Sequence, residues 1–439
     1  MVKPCFIFKQ YHVLVKVTVL MLLLSLVLHL LYSTSTTNIT HSSVGGVTSI
    51  VTTEEVPFLK EIVEAKKDDD SVEEIQENPQ QNQVLHKGKC DLFVGEWIPD
   101  PLGPMYTNES CNVITGDQDC MSHGRPDSGY LYWRWKPRDC ELPRFNAARF
   151  LDSMRNKHWG FVGDSISRNH VQSLLCILSK VEAANDVYHD EVYRDRRWHF
   201  PSYNFSLSVI WSPFLVKAIS SQGFNGGAAD DIQLYLDELD KSWTDQYASF
   251  DYMVMSGGKW FQKTAIYYEN NTIIGCHNCT RRTDLTEYGL DNGYRKATKL
   301  VFDFLSNSNH NASVLYRTTT AEHFENGNWD TGGTCDRKIP FKQGEISLHE
   351  LDIKLRNVEL EAFENLKTAR YPRKRVVLKV FDVTQLSLLR PDGHPGPYRN
   401  HHPYAKGKNA KVQYDCLHWC LPGPIDSWND LIMEMVMNG

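Results

Sequence analysis

Two short patterns in the 439-residue sequence hold side chains that could do chemistry together. The first, Gly163-Asp164-Ser165, follows the apolar run from His158 to Val162 and precedes Ser167 to Ala183, where Val171, Leu174, Leu175 and Leu178 fall on one helical face. Strand, tight turn and helix in that order place Ser165 at a strand's carboxyl end. Gly163 lets the chain turn sharply, and the helix N-terminus brings amides and positive dipole to a developing oxyanion. Taken alone, Gly-Asp-Ser is far more often an ordinary helix cap, so the context has to supply the rest. The second pattern is Asp415-Cys416-Leu417-His418. A spacing of three puts both side chains on one face of a helical turn, so the carboxylate can hold the imidazole while its far nitrogen reaches a serine elsewhere. Such an oriented base is what a neutral hydroxyl needs to become a nucleophile.

These groups need a frame. Buried-strand patterns at His158 to Val162, Tyr252 to Met255, Ser313 to Tyr316 and Val376 to Phe381 alternate with helical patterns at Ser167 to Ala183, Tyr294 to Leu305, Leu348 to Leu366 and Ser427 to Met437. That alternation predicts an α/β layered body with a mainly parallel sheet. A segment rich in Trp, Pro, Gly and Cys, residues 87–142, precedes a catalytic part at 143–439.

The front of the chain differs in kind. Val13 to Tyr32 is a 20-residue stretch, mostly apolar and preceded or opened by Lys3, Lys9 and Lys16. It is long enough to span a bilayer, and the lysines put residues 1–12 in the cytosol and the bulk in the lumen. A cleaved signal peptide is the alternative, disfavoured by the long apolar region and the weak cleavage site after Tyr32. Residues 33–86 are Ser/Thr-rich, then acidic, with ten acids against three lysines; they read as a flexible stem, and Asp68 to Asp70 as a solvated charge run. Of the net charge of -7, the body from residue 87 onward carries only -3, which offers no field to gather nucleic acid.

Ten of the 11 cysteines lie beyond the apolar stretch: Cys90, Cys111, Cys120, Cys140, Cys176, Cys276, Cys279, Cys335, Cys416 and Cys420. An even count in an oxidising lumen reads as up to five disulfides. The sequons at Asn38, Asn108, Asn204, Asn270, Asn278 and Asn311 agree with that compartment. A zinc site from Cys276, Cys279, Cys416, Cys420 and His418 is the rival, weakened by the spacing of the second pair; no metal is expected.

Gly-Asp-Ser early and Asp-x-x-His late across an α/β region resembles the SGNH/GDSL esterase superfamily. More closely, the chain resembles the plant trichome birefringence-like polysaccharide O-acetyltransferases. The likeness runs from Lys89 to Met437 through CDLFVGEWIPD, GRPDSGYLYWRWKPRDCELPRF, FVGDSISRNHVQSLLC, FENGNWDTGGTC, LLRPDGHPGPY and YDCLHWCLPGPIDSWND. It implies an SGNH-like layered sandwich, a Ser165/His418/Asp415 triad, and single-pass type II residence in the Golgi membrane with the catalytic part lumenal. It further implies the linkages Cys90 to Cys140, Cys111 to Cys176, Cys120 to Cys420 and Cys335 to Cys416, with Cys276 and Cys279 left for each other. The blocks from Trp329, Pro391 and His418 lean toward the xyloglucan-acetylating branch, with mannan-acetylating relatives next.

One departure stands out. Many relatives have Asn-x-Gly-His-Trp where this chain has Ser256-Gly257-Gly258-Lys259-Trp260. If the relatives' Asn holds the oxyanion, Ser256 is a shorter donor, and the amides around Gly163, Asp164 and Ser165, with Gly258 and the Asn169 side chain, carry more of that task. Arg168 and Asn169 are expected at the site or as pins between helix and loops. Trp260, Phe261, Trp329, Tyr398 and Trp419 are candidates to stack on sugars, or core residues.

The expected reaction is acetyl transfer through an acetyl-serine, with no bound cofactor and acetyl-CoA or an acetylated intermediate as donor. Partners are a polysaccharide acceptor, most directly xyloglucan side-chain galactose, and the donor or a membrane protein supplying it. A carbohydrate acetylesterase, a glycan-binding wall protein without chemistry and, last, a glycosyltransferase are the alternatives.

Overall fold

The computed structural model describes residues 90–220, 232–280, 282–368, 376–405, 407 and 411–438. The expected anchor at 13–32, the stem at 33–86 and Asn38 lie outside them. Among the described residues no helix is long and apolar enough to cross a membrane.

In chain order the strands are β1 (Gly95–Pro99), β2 (Trp133–Pro137), β3 (His158–Gly163), β4 (Asn185–His189), β5 (Arg196–Phe200), β6 (Phe205–Trp211), β7 (Val216–Ile219), β8 (Ile232–Leu239), β9 (Tyr252–Met255), β10 (Ala265–Glu269), β11 (Thr272–His277), β12 (Ser313–Arg317) and β13 (Val377–Phe381). The α-helices are α1 (Ala147–Ser153), α2 (Ser165–Leu178), α3 (Lys241–Thr244), α4 (Leu290–Asn307), α5 (Glu350–Thr368), α6 (Thr384–Leu388) and α7 (Asp426–Met437).

The main sheet has seven strands in the order β13-β12-β9-β3-β6-β5-β4. From β13 to β6 every pairing is parallel, while β5 and β4 continue it antiparallel. The chain leaves β3 toward β6 on one side and later returns to β9 on the other. Ser165 therefore sits beyond the carboxyl end of the strand where the winding changes direction, the crevice in which open α/β sheets place their ligands.

Strand β3 is buried on both faces, as a central parallel strand must be. Trp159 and Phe161 enter the core layer shared with α2 and α7, and Val162 enters the layer shared with α4. Gly160 is needed by close approach: a Cβ there would lie 2.9 Å from the Phe250 ring. Between α2 and α7 a polar contact fixes register, with Ser173 donating to Asp426 at 2.5 Å, Asn429 donating to Ser173 at 2.8 Å and Tyr106 donating to Asp426 at 2.8 Å. Burial pushes the Asp426 carboxyl up to about 6.

The expected strands and helices are present with ends moved by a few residues. The expected mainly parallel central sheet is the seven-stranded one, but it is not the whole of the β-structure. A second sheet of four strands, β11-β10-β8-β7, packs its own apolar layer, and its outer pairings are antiparallel. Ile232, Leu234 and Leu236 of β8 point into that layer while alternate residues face outward, the period-two pattern of a half-buried strand.

The five disulfides join Cys90 to Cys140, Cys111 to Cys176, Cys120 to Cys420, Cys276 to Cys279 and Cys335 to Cys416. The sulfurs required by the zinc alternative are thus divided among three bonds. Cys276, Cys279 and Glu287 do lie close together, but the two thiols of that group are joined to each other.

Candidate active site

Asp164 caps α2 by accepting from the Ile166 amide at 3.0 Å, which starts the helix one residue later at Ser165. Gly163 is required immediately before it. A Cβ at that position would meet Ser167 Oγ at 2.6 Å, Ser256 Oγ at 2.7 Å and the Ser256 carbonyl oxygen at 2.8 Å. The strand end and the β9 end close on one another so tightly that no side chain fits between them. The Ser165 amide belongs to the first turn of α2, where N–H groups have no acceptor within the helix, and the Ile166 amide of that turn is taken by the Asp164 cap.

His418 Nε2 lies 2.7 Å from Ser165 Oγ, and His418 Nδ1 lies 2.8 Å from Asp415 Oδ2. The second oxygen of Asp415 accepts from the amides of Leu417 at 3.1 Å and His418 at 3.0 Å. With Nδ1–H donating to the carboxylate, Nε2 is left to accept the serine proton. Burial pushes the Asp415 carboxyl up, but the His418 charge and these hydrogen bonds outweigh it and hold the group well below the usual range. Burial likewise opposes the charged imidazole, yet the Asp415 carboxylate wins and raises His418 above 6.5.

The base is held by its backbone. Asp415 and Gly396 exchange amide and carbonyl at 2.9 Å in both directions, the Cys416 carbonyl accepts from His323 N at 2.9 Å, and Cys420 N donates to the Gly393 carbonyl at 3.0 Å. Asn169 takes the remaining groups: its Nδ2 donates to the Trp419 carbonyl at 3.2 Å and its Oδ1 accepts from Trp419 N at 2.8 Å. Asn169 is therefore a clamp between α2 and the base segment, and its role as an oxyanion donor is corrected accordingly. Two disulfides, at Cys416 and Cys420, bracket the same segment.

Ser256 is also corrected. It is buried, and its hydroxyl lies between Ser167 Oγ at 3.0 Å and the Arg317 guanidinium, beneath the nucleophile turn instead of facing Ser165. Arg317, buried at the end of β12, lies 4.0 Å from the Asp164 carboxylate and over the Trp428 ring. Behind it Glu359 accepts from Thr319 N and Tyr294 Oη, and burial pushes its carboxyl up to about 8. Lys259 turns away to Asp352 at 2.5 Å, and Gly258, at φ +104°, packs against Tyr294.

Arg168, one turn along α2 from Ser165, is half-buried with its guanidinium 5.7 Å from the Trp211 ring centre. Trp211 in turn meets Trp260 edge-on at 5.3 Å. Trp419 is fully buried and stacked on His394 at 4.4 Å, and Phe261 is fully buried, so both are core residues and not sugar platforms. Trp260, Tyr398 and Trp329 reach the surface. Arg317, Glu359 and His323 were not legible as site residues, because each comes from a different segment with no motif of its own, and His394, although inside the LLRPDGHPGPY block, gave no sign of lying behind the base.

Residues 142–435 match the PC-Esterase model, described as a GDSL/SGNH-like acyl-esterase family found in Pmr5 and Cas1p. The chain belongs to this family. Residues 88–141 match the PMR5 N-terminal domain. Protein trichome birefringence-like 25 of Arabidopsis thaliana is 57% identical over 354 residues, covering 80% of this chain and 77% of that protein. Xyloglucan O-acetyltransferase 1 of Populus trichocarpa is 44% identical, covering 80% and 82%, and xyloglucan O-acetyltransferase 1 of Arabidopsis thaliana is 43% identical, covering 79% and 80%. This PC-Esterase member is an acyl-transfer enzyme, and Ser165, His418 and Asp415 are the groups within it arranged for that chemistry.

Proposed function

We propose that the chain is an O-acetyltransferase acting on hemicellulose hydroxyls, xyloglucan side-chain galactose first, through an acetyl-serine intermediate. The observation that carries this reading is the unbroken hydrogen-bonded chain from Asp415 through His418 to Ser165 at the head of α2. Relatives named as xyloglucan O-acetyltransferases support the substrate class.

Ser165 Oγ gives its proton to His418 Nε2 and attacks the acetyl carbonyl of the donor, acetyl-CoA or an acetylated intermediate. The positive end of α2 stabilises the oxyanion, and the tetrahedral adduct collapses as His418 returns the proton to the leaving group. A sugar hydroxyl then loses its proton to His418 and attacks the acetyl-serine carbonyl; Ser165 Oγ departs and recovers the proton. Asp415 keeps the tautomer throughout. We place the enzyme in the Golgi membrane as a single-pass type II protein, with its catalytic part in the lumen. The disulfides and the exposed sequons at Asn204, Asn270, Asn278 and Asn311, with half-buried Asn108, support that compartment.

The test is to incubate the purified chain with labelled acetyl donor and deacetylated xyloglucan, mannan or xylan oligosaccharides, beside acetylated oligosaccharide without donor. Transfer to xyloglucan at the highest rate is the expected result. Release of acetate from acetylated oligosaccharide with no transfer identifies an esterase, and transfer to mannan first overturns the acceptor assignment.

A further inference from the structure

Behind the base lies a second imidazole chain that the reaction does not use. His394 Nδ1 is 2.7 Å from the His418 carbonyl oxygen, His394 Nε2 is 2.7 Å from His323 Nδ1, and His323 Nε2 is 2.8 Å from the Leu388 carbonyl oxygen. Both rings are buried, at 3% and 5% exposure. A carbonyl oxygen only accepts, so the two outer nitrogens must both carry protons. If each ring were neutral, the two inner nitrogens would then face one another with lone pairs at 2.7 Å. One more proton between them turns that clash into a hydrogen bond.

We infer that His323 and His394 together hold three protons and one positive charge, and act as positioning residues that fix the His418 backbone and lower the proton affinity of its ring.

The surroundings compensate only in part. On the His394 side stand His418 and the buried Asp415 carboxylate, which among the described residues has no cationic partner while His418 is neutral. Arg125 donates to the His394 carbonyl. On the His323 side are Asp392, His349 and Lys259; Asp392 is paired with Arg390 and Lys259 with Asp352, so neither supplies a free charge of either sign. Burial is the larger effect and lowers both rings, His323 to about 4, against the carbonyl acceptors and Asp415, so the charge follows from the facing nitrogens and not from the surroundings.

The proton count stands on geometry alone, whereas the effect on His418 rests on the proposed triad. His323→Gln separates a charge from a hydrogen bond, because its amide can still donate to His394 Nε2 while leaving the pair neutral. Loss of the positive charge should raise the pKa of His418. The acid limb of the rate of Ser165 labelling by a fluorophosphonate should move up by about one pH unit, giving roughly tenfold slower labelling below the limb. An unchanged or lowered limb in a folded variant overturns the charge. Independently, the full-length chain with 15N-labelled histidine should show at neutral pH a far-downfield ring proton coupled to nitrogens of two histidines. Absence of that signal overturns the proton count, also where H323Q does not fold. A wild-type chain that shows the signal but is not labelled leaves the proton count standing and refutes the triad.

Discussion

Asn169 grips Trp419 by both of its backbone groups, so the helix that begins with the nucleophile also holds the residue next to the base. Ser165 and His418 are 253 positions apart, and this amide is a direct tie between their segments. Asn169→Ala leaves a buried N–H and C=O of Trp419 without partners, costing about 1–3 kcal/mol. The catalytic cost should be larger. We expect kcat to fall about 10- to 100-fold with KM nearly unchanged, because the base loses its aim while the acceptor surface stays. Steady-state kinetics beside a thermal melt check this, and an equal change in KM would contradict it.

Gly163→Ala should disable the enzyme through crowding alone. The added methyl meets the Ser256 carbonyl at 2.8 Å, and the backbone there is fixed by the Ser256 N–H bond to the Val162 carbonyl at 3.0 Å. The turn must shift, costing about 1–3 kcal/mol and moving Ser165 away from His418. Loss of fluorophosphonate labelling with a lowered melting temperature is the expected pair of results.

The pH dependence follows from the direction of the His418 shift. Only neutral His418 can accept the serine proton, and its pKa is raised, so kcat/KM should fall as pH drops through a value above 6.5. Asp415→Asn removes the carboxylate that raises it. The acid limb should then move to lower pH while the rate at the optimum falls about 10⁴-fold, because the amide presents N–H to Nδ1 and reverses the tautomer. A pH profile of both proteins measures the two effects separately.

Cys335→Ser should expose how far the base segment depends on its bonds. The Cys335 to Cys416 link closes 81 residues and ends beside Asp415, and its removal should cost about 2–5 kcal/mol. Activity should fall with it, since Cys416 lies between the acid and the base. Acetyl transfer and thermal melts in parallel would show this; full activity at an unchanged melting temperature would mean that the hydrogen bonds to Gly396 and His323 suffice.

The two chemical motifs were legible because each is local: Gly-Asp-Ser is a strand-turn-helix junction, and Asp-x-x-His brings acid and base together, though in a bend closed by the Asp415 carboxylate on the Leu417 and His418 amides and not in the helical turn expected. Strands β9, β12 and β13 were legible as short apolar runs because a parallel strand is buried on both faces. Strand β8 went unread although Ile232, Leu234 and Leu236 alternate with polar or half-buried residues, since a search for continuous apolar runs passes over half-buried strands. Ser256 was misplaced for a different reason. Its position beside Gly163 follows from the sequence pattern, but the direction of its hydroxyl is decided by Arg317, from a strand 61 residues away.

The cystines around Asp415 and His418 also constrain the order in which the site can be assembled. Cys120 and Cys420 are 300 residues apart, so the bond that secures the far end of the base segment forms only after nearly the whole body has been made. During synthesis the segment with Ser165 is made long before the segment with His418. The covalent brace on the base segment is thus among the last parts of the body that can be put in place.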